Sequence, residues 1–265
     1  MKETRLRSVA LVLGLAALVA MAGCSSLSGL GGGGDGGAAG NGYGVAAGDL
    51  DGETVDNASA TVVESAGSYT LTTDVTSNST RNDRAVQTAG TTTTRVDLDD
   101  ERGIREQEST TTVGSQSRNT TVVVYTNETD TYGKQGTGED ATYGTASSGL
   151  PIRPVTVSGF DQNFASIVDG IEWSDGTEAT VDGVAVTRYE ASGVANASAL
   201  LGPGASAEDV SGSIAIDGDG LVREFSLTLS FSSNDVTTTT DVTVRITDVG
   251  STTVEEPDWL AQAQS

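Results

Sequence analysis

The chain has 265 residues, with 37 aspartates and glutamates against 14 lysines and arginines, no histidine and one cysteine. The net charge of -23 repels nucleic acid phosphates and anionic membrane surfaces, so neither is expected as a direct partner. One cysteine cannot form an intramolecular disulfide, and without histidine the usual zinc, iron and copper sites cannot be built. We therefore expect no metal and no cofactor.

The acidic excess has two interpretations. A protein adapted to very strong salt tolerates it, because the Debye length falls to about 3 Å and surface carboxylates barely repel one another. Intrinsic disorder also gives high net charge with few aromatic residues. The strand periodicity of the second half favours a folded, halophilic protein.

The amino terminus reads as an export signal. The positive segment "MKETRLR" precedes the apolar run "SVALVLGLAALVAMA", which is shorter than the roughly 20 residues of a membrane-spanning helix. The run ends in Met21 and Ala22, and with the following Gly23 and Cys24 these residues resemble the lipobox of prokaryotic lipoproteins. The resemblance implies cleavage between Gly23 and Cys24, removal of residues 1–23 and lipid attachment to the Cys24 thiol. The alternative is an uncleaved anchor with an incidental cysteine.

The glycine-rich stretch after Cys24 is typical of a flexible tether. We expect a tether over residues 24–47, a folded domain over 48–258 and a tail over 259–265. The lipid would hold the protein on the extracellular face of the cell membrane. The order Arg5-Leu6-Arg7 is not a clean twin-arginine pair, so both export routes stay open.

The first half of the domain predicts one helix followed by strands. Apolar spacing in residues 53–66 predicts an amphipathic helix that ends at Gly67. From Ser68 the period changes to two, and threonine and valine suit a pleated surface. The predicted strands are 68–75, 91–98, 107–114 and 119–126, with shorter ones at 130–135 and 141–146.

The second half predicts a helix and two hairpins. An apolar stripe predicts a helix over residues 160–171. Asp182-Gly183 predicts a two-residue hairpin turn, and residues 195–202 a short helix. The segment 211–231 predicts a second hairpin around Asp217–Gly220, with Arg223 on the same face as Phe225, and residues 241–250 a closing strand. This order argues for an α+β fold with one antiparallel sheet.

The order of these segments resembles the LolA, LppX and LprG lipoproteins, and more closely their uncharacterised haloarchaeal relatives. The resemblance covers about residues 50–258 and is most specific in "SGSIAIDGDGLVREFSLTLSF" and "VTVRITDVGSTTVEEPD". The residue pattern indicates about 9–11 strands and two or three helices. The resemblance implies that they form a curved half-barrel with the helices on the concave face and lipid bound between them. The chain departs from this group in its low aromatic content of 5% and its threonine-rich first half.

The function expected is non-catalytic binding of an apolar ligand, a lipid or prenyl chain, by a monomeric protein. The alternative is a structural component of the cell envelope with no ligand cavity, packed against the surface layer or a neighbouring exported complex. The residues predicted to line the site are Phe160, Phe164, Ile167, Val168, Leu200, Leu201, Phe225, Leu227 and Leu229.

Other candidate sites have simpler explanations. Asp217–Gly220 resembles the start of a calcium loop, but position 228 is threonine where a later acidic ligand is expected, so a hairpin turn is favoured. Serine nucleophiles lack a histidine to activate them, which argues against an enzyme. Sequons for N-glycosylation begin at Asn57, Asn78, Asn119, Asn127 and Asn196.

Overall fold

The structure is a computed structural model, and it describes residues 50–81, 84–145, 164–201, 206–233 and 236–265. The predicted signal peptide, Cys24, the tether and Phe160 lie outside these residues. In the described part, no helix combines the length and apolarity needed to span a membrane.

Helix α1, Gly52–Ala66, begins and ends where its sequence directs. The Asp51 carboxylate accepts a hydrogen bond from the Thr54 N–H at 2.7 Å, which caps the first turn. Leu50 and Val55, the N′ and N4 positions of a hydrophobic staple, are both buried in the same core cluster. Gly67 ends the helix with a left-handed φ of 77°. The helix predicted over residues 53–66 is confirmed.

The six strands of the first half pair antiparallel with one another in chain order. The predicted strands are present, and the four long ones extend beyond their predicted bounds. They are β1 Ser68–Arg81, β2 Arg84–Asp97, β3 Arg102–Val113, β4 Gln116–Thr126, β5 Thr131–Gln135 and β6 Thr142–Thr145.

In its described residues, the second half supplies three short helices and six strands. The helices are α2 Phe164–Asp169, α3 Ala197–Leu201 and α4 Leu260–Ala263. The strands are β7 Ile171–Trp173, β8 Thr177–Val181, β9 Val184–Val194, β10 Ser206–Asp217, β11 Val222–Ser233 and β12 Val236–Thr247.

All twelve strands form one curved, open sheet. The order is β6-β5-β4-β3-β2-β1-β12-β11-β10-β9-β7, and β8 pairs with β9. Pairing of β1 with β12 joins the two halves of the chain at the centre of the sheet. The predicted α+β class with one antiparallel sheet is confirmed, with twelve strands where about 9–11 were expected.

Helix α2 differs from its prediction because the chain turns at Gly170. The helix was predicted to continue to Ile171, but it ends at Asp169, and the Gly170 N–H closes it onto the Ser166 carbonyl. A Cβ atom on residue 170 would lie 2.7 Å from Leu200 Cγ, so a side chain at this position would collide with Leu200. Ile171 therefore begins β7, the strand that the sequence analysis missed.

Arg223 lies in a β-bulge and therefore does not occupy the face of the sheet that the sequence predicts for it. Ala215 pairs with Glu224 and Ile216 with Val222, so Arg223 is the extra residue in β11. Val222 is consequently buried in the core, and Arg223 instead reaches the Asp217 carboxylate at 2.7 Å. Strict alternation had placed Arg223 beside Phe225.

We expect replacement of Asp51 by alanine to lower the free energy of unfolding by about 1 kcal/mol through loss of the cap. Hydrogen bonds from Thr54 lower the pKa of Asp51. A lowered folded-state pKa means that the charged cap stabilises the protein above the unfolded pKa of about 3.9, and that this contribution is lost as the pH falls through the folded pKa.

Urea unfolding of wild type, D51A and D51N at pH values from 7 to 3 measures the free energy of unfolding and its dependence on pH. Asparagine caps without titrating, so the stability of wild type relative to D51N should decline at acid pH. A pH-independent difference between these two proteins would contradict the assignment of the cap to the ionised carboxylate.

Candidate binding site between sheet and helices

The sheet has one face turned towards the helices, which we call the helix face, and an opposite outer face. On the helix face, Val244, Phe225, Ile214 and Tyr189 pair in one row across β12, β11, β10 and β9. All four side chains are buried, with exposures between 0% and 4%. The row exists because each long strand carries apolar residues at alternate positions.

Helices α1, α2 and α3 cover this row. Val55 of α1, with Phe164 and Val168 of α2, belongs to the same buried core cluster as the strand residues. The rings of Phe164 and Phe225 meet edge to face, with centroids 5.4 Å apart, an arrangement favourable for aromatic pairs. The helices therefore contact the sheet directly at this point.

The Ser59 hydroxyl joins α1 to the sheet. It donates to the Gly220 carbonyl at 3.2 Å and accepts from the Val222 N–H at 3.0 Å. Ser59 is fully buried, so these two backbone groups have no access to water as an alternative partner.

Close approach also fixes α1 against α2. The Gly52 N–H donates to the Asp169 carboxylate at 2.8 Å. A Cβ on Gly52 would lie 2.2 Å from the Ala165 carbonyl oxygen, so glycine is required for this contact. The helical layer is therefore held to itself as well as to the sheet.

The structure brings together the predicted lining residues that it describes. Phe164, Val168, Phe225, Leu227 and Leu229 are buried in the core cluster, and Ile167, Leu200 and Leu201 pack against it half-buried. The apolar surface continues beyond the fully buried part. Half-buried side chains extend it along β10, β11 and β12, and we call these the apolar strip: Ala207, Val210, Phe231 and Val242.

Several residues of this core were missed as site candidates. Tyr189 and Trp173 are buried against the same cluster, and the Trp173 indole N–H donates to the Val168 carbonyl at 3.0 Å. The alternation of β9 contains the signal for Tyr189. Trp173 had no such signal, because its three-residue strand is too short to show a period.

Charge is separated between the two faces of the sheet. In β1–β6 and β9–β12, every aspartate and glutamate with a register partner lies on the outer face: Asp74, Asp97, Glu106, Glu108, Glu190, Asp209, Asp217, Glu224 and Asp241. The paired positions of the helix face in these strands are apolar, hydroxyl, glycine, glutamine or arginine. Desolvation explains the pattern, since a buried unpaired carboxylate is costly.

The outer face is partly covered by the chain after β12. The hydroxyls of Thr252 and Thr70 are hydrogen-bonded at 2.9 Å. Val254 is buried with Tyr125 and Tyr132. The ring centroids of Trp259 and Tyr143 lie 6.2 Å apart. Two grooves, of about 570 Å³ and 530 Å³, lie along this segment. None of the predicted ligand-lining residues that the structure describes lines either groove.

The turn at Asp217 is structural. One carboxylate oxygen accepts from the Asp219 and Leu221 N–H groups, and the other accepts from Arg223 Nε. The chain's own donors therefore occupy both oxygens, and the hairpin turn favoured by the sequence is confirmed. In the described residues no three carboxylates or thiols are grouped to hold a metal ion.

The five sequons lie on different elements. Asn57 is exposed on α1, but its sequon ends in the buried, bonded Ser59. Asn78 and Asn119 are exposed on strands, and Asn196 is exposed just before α3. The Asn127 side chain accepts from the Thr129 and Asp130 N–H groups in a turn. Glycosylation of these residues stays a prediction.

These features define a class of protein: an open antiparallel sheet with helices packed on one face. Within this class, the chain belongs to DUF7537, a family of unknown function whose model matches residues 9–263. No curated protein matches the sequence.

Three solved structures are similar to the chain at low identity. LprF from Mycobacterium bovis has 13% identity and a TM-score of 0.39, covering 80% of this chain and 99% of its own. A DUF1329 family protein from Desulfovibrio piger has 10% identity and a TM-score of 0.27, covering 79% and 96%. The LolA superfamily protein NE2245 from Nitrosomonas europaea has 9% identity and a TM-score of 0.24, covering 80% and 97%.

We expect the Ser59→Ala substitution to lower the free energy of unfolding by about 1–3 kcal/mol, because it leaves a buried carbonyl and a buried N–H unpaired. Ser65→Ala is the matched control on the exposed side of α1, where Ser65 bonds only within the helix; its effect should stay within about 0.5 kcal/mol. Urea unfolding measures both. Equal effects would show that the bridge to Gly220 and Val222 does not stabilise the fold.

Proposed function

We propose that this protein is an exported, membrane-anchored lipoprotein that binds an apolar ligand, a lipid or prenyl chain, between its sheet and its helices without catalysing a reaction. The observation that carries the proposal is the apolar strip. Val210, Phe231 and Val242 continue the buried core outward and remain half-buried. A chain laid along them would bury apolar surface that is still accessible, at about 25 cal/mol per Å².

Two of the helices that cover such a site are short. Helices α2 and α3 have six and five residues, too few to be stable without tertiary contacts. Besides the hydrogen bond from the Trp173 indole to the Val168 carbonyl, these helices contact the sheet through side-chain packing, which a ligand chain can replace with packing of its own. The larger α1 remains bonded to the β10–β11 turn through Ser59.

The composition argues against catalysis. The chain contains no histidine, and its one cysteine is the proposed lipid attachment site. Activated serine nucleophiles in most hydrolases depend on a neighbouring base such as histidine. Binding therefore explains the apolar face better than a reaction does.

A structural role in the cell envelope is the second candidate. The direct packing of Phe164 on Phe225 favours it, because the helices there fill the space against the sheet. The two candidates differ in one measurable property, namely whether lipid is bound.

We expect Ile167→Trp to reduce the lipid that co-purifies with the protein about tenfold, equivalent to about 1.4 kcal/mol of binding free energy. Ile167 is half-buried against the core, so an indole there would fill space between the helices and the sheet. Ser166→Trp, one residue earlier and exposed, is the matched control. Mass spectrometry of organic extracts from protein made in its own host measures the lipid. Unchanged lipid in Ile167→Trp would refute the site, and no lipid in wild type would favour the structural role.

We expect Cys24→Ser to release the protein from the membrane fraction, since the lipid on the thiol is the proposed anchor. Cell fractionation with immunoblotting against the folded domain measures this, and intact mass shows whether residues 1–23 are removed. A Cys24→Ser protein that stays in the membrane at full length would contradict the anchor and leave the binding proposal standing.

A further inference from the structure

The helix face carries a half-buried basic residue, Arg105, whose guanidinium Nε is buried. Arg105 lies on β3, opposite Thr94 of β2 and Val124 of β4. Thr94 is buried, and so is Tyr69, whose ionised form would raise the pKa of Arg105 against the lowering by burial. The Nε atom of Arg105 is buried and has no hydrogen-bond partner among the described residues. A buried donor of this kind requires an explanation.

Five other arginines of the described chain have carboxylate partners. They form salt bridges on the outer face or at the Asp217 turn: Arg95, Arg102, Arg188, Arg223 and Arg245. The sheet around Arg105 provides no carboxylate partner, because the acidic residues of β1–β4 all lie on the outer face. In a chain of charge -23, this arginine occupies a place from which carboxylates are excluded.

We propose that Arg105 binds the anionic head group of the amphiphile whose apolar chain occupies the site between sheet and helices. The inference rests on the proposed function and adds the chemistry of the ligand: a phosphate, sulfate or carboxylate attached to a lipid or prenyl chain. The guanidinium can offer Nε–H and one Nη–H side by side to two oxygens of such a group.

The geometry of the sheet connects this head-group position to the apolar strip. From β3 to β11 the sheet order crosses β2, β1 and β12, which is about 19 Å at about 4.8 Å per strand. That distance suits a long acyl or prenyl chain. Half-buried helix-face residues lie along the way: Gln107, Thr92, Thr73, Val75 and Val242.

Electrostatics favours an anion at this position. Burial lowers the pKa of Arg105, which shows that its charge is partly desolvated. A guanidinium nevertheless stays protonated in proteins, so the charge remains available. An anion in contact with it would supply the missing acceptor in a region of low dielectric, where the attraction is stronger than in water.

The test uses the full chain, freed of lipid, and two probes with the same acyl chain. These are 1-palmitoyl lysophosphatidylglycerol, which is anionic, and 1-palmitoylglycerol, which is neutral; inorganic phosphate is a third probe without a chain. Binding is measured by calorimetry below the critical micelle concentration for wild type, R105Q, R105K and R118Q. Arg118 lies on the same face but is exposed, so R118Q is the matched charge control.

We expect R105Q to weaken binding of the anionic probe about ten- to a hundredfold, the loss typical of hydrogen bonds to a charged group. R105Q should bind the neutral probe as wild type does, and R118Q should bind both probes as wild type does. The affinity of R105K for the anionic probe should lie between those of wild type and R105Q, because lysine keeps the charge but lacks the planar fork of arginine. Circular dichroism verifies that each variant is folded. Stabilisation of wild type against urea by the anionic probe, absent in R105Q, gives a second readout.

The outcomes separate this inference from the proposed function. Equal binding of both amphiphiles to wild type and R105Q would refute the head-group role while supporting an apolar site. Binding of phosphate as tight as that of the anionic lipid would show an anion site without a chain, and would also overturn the inference. No binding of either amphiphile to wild type would refute both the head-group role and the apolar site.

Discussion

The structure depends on a single constraint, the register of its long antiparallel strands. Because side chains alternate between the two faces, a slip of one residue would bring every apolar side chain of a strand to the outer face and its charged ones inside. Turns fix the register locally. Asp182 and Gly183 both have positive φ, 49° and 83°, as a type I′ hairpin turn requires. The bulge at Arg223 also sets the register of β10 and β11. It places Val222 in the core and Arg223 beside the Asp217 carboxylate.

From this register follows the difference between the two ends of the sheet. Near the helices, the inner positions of β1 and β12 are Leu71, Ile246 and Val244, all buried. Further along the same strands they are serine and threonine, and Ser77 and Ser79 pair with Thr240 and Thr238 through their hydroxyls. Threonine keeps the β-propensity of a branched residue while it bonds to its neighbour or to water. The sheet can therefore extend past its core as a paired, hydrated surface.

The sequence indicated those features that depend on neighbouring residues. Asp51 and Gly67 marked the ends of α1, and period-two alternation with threonine and valine marked most strands. Features set by distant contacts had no local signal. The end of α2 depends on Leu200 filling the space beside Gly170, and the bulge depends on Asp217 attracting Arg223. The core residues Phe225, Leu227 and Leu229 could be predicted because they combine alternation with size. Arg105 could not, since its chemical environment is created by strands whose acidic residues turn away from it.

The acidic composition and a site for an anionic amphiphile are compatible because the two electrostatic effects act over different distances. The carboxylates of β1–β4 point away from Arg105, so the thickness of the sheet and salt-containing solvent separate them from the head group. Salt screens that long-range repulsion within about 8 Å at physiological ionic strength and about 3 Å at 1 M. Direct contact between a guanidinium and an anion is screened far less, because it is short and partly buried. Excess negative charge on the outer face therefore keeps the protein soluble without preventing the helix face from holding an anion, provided that Arg105 has no carboxylate of its own.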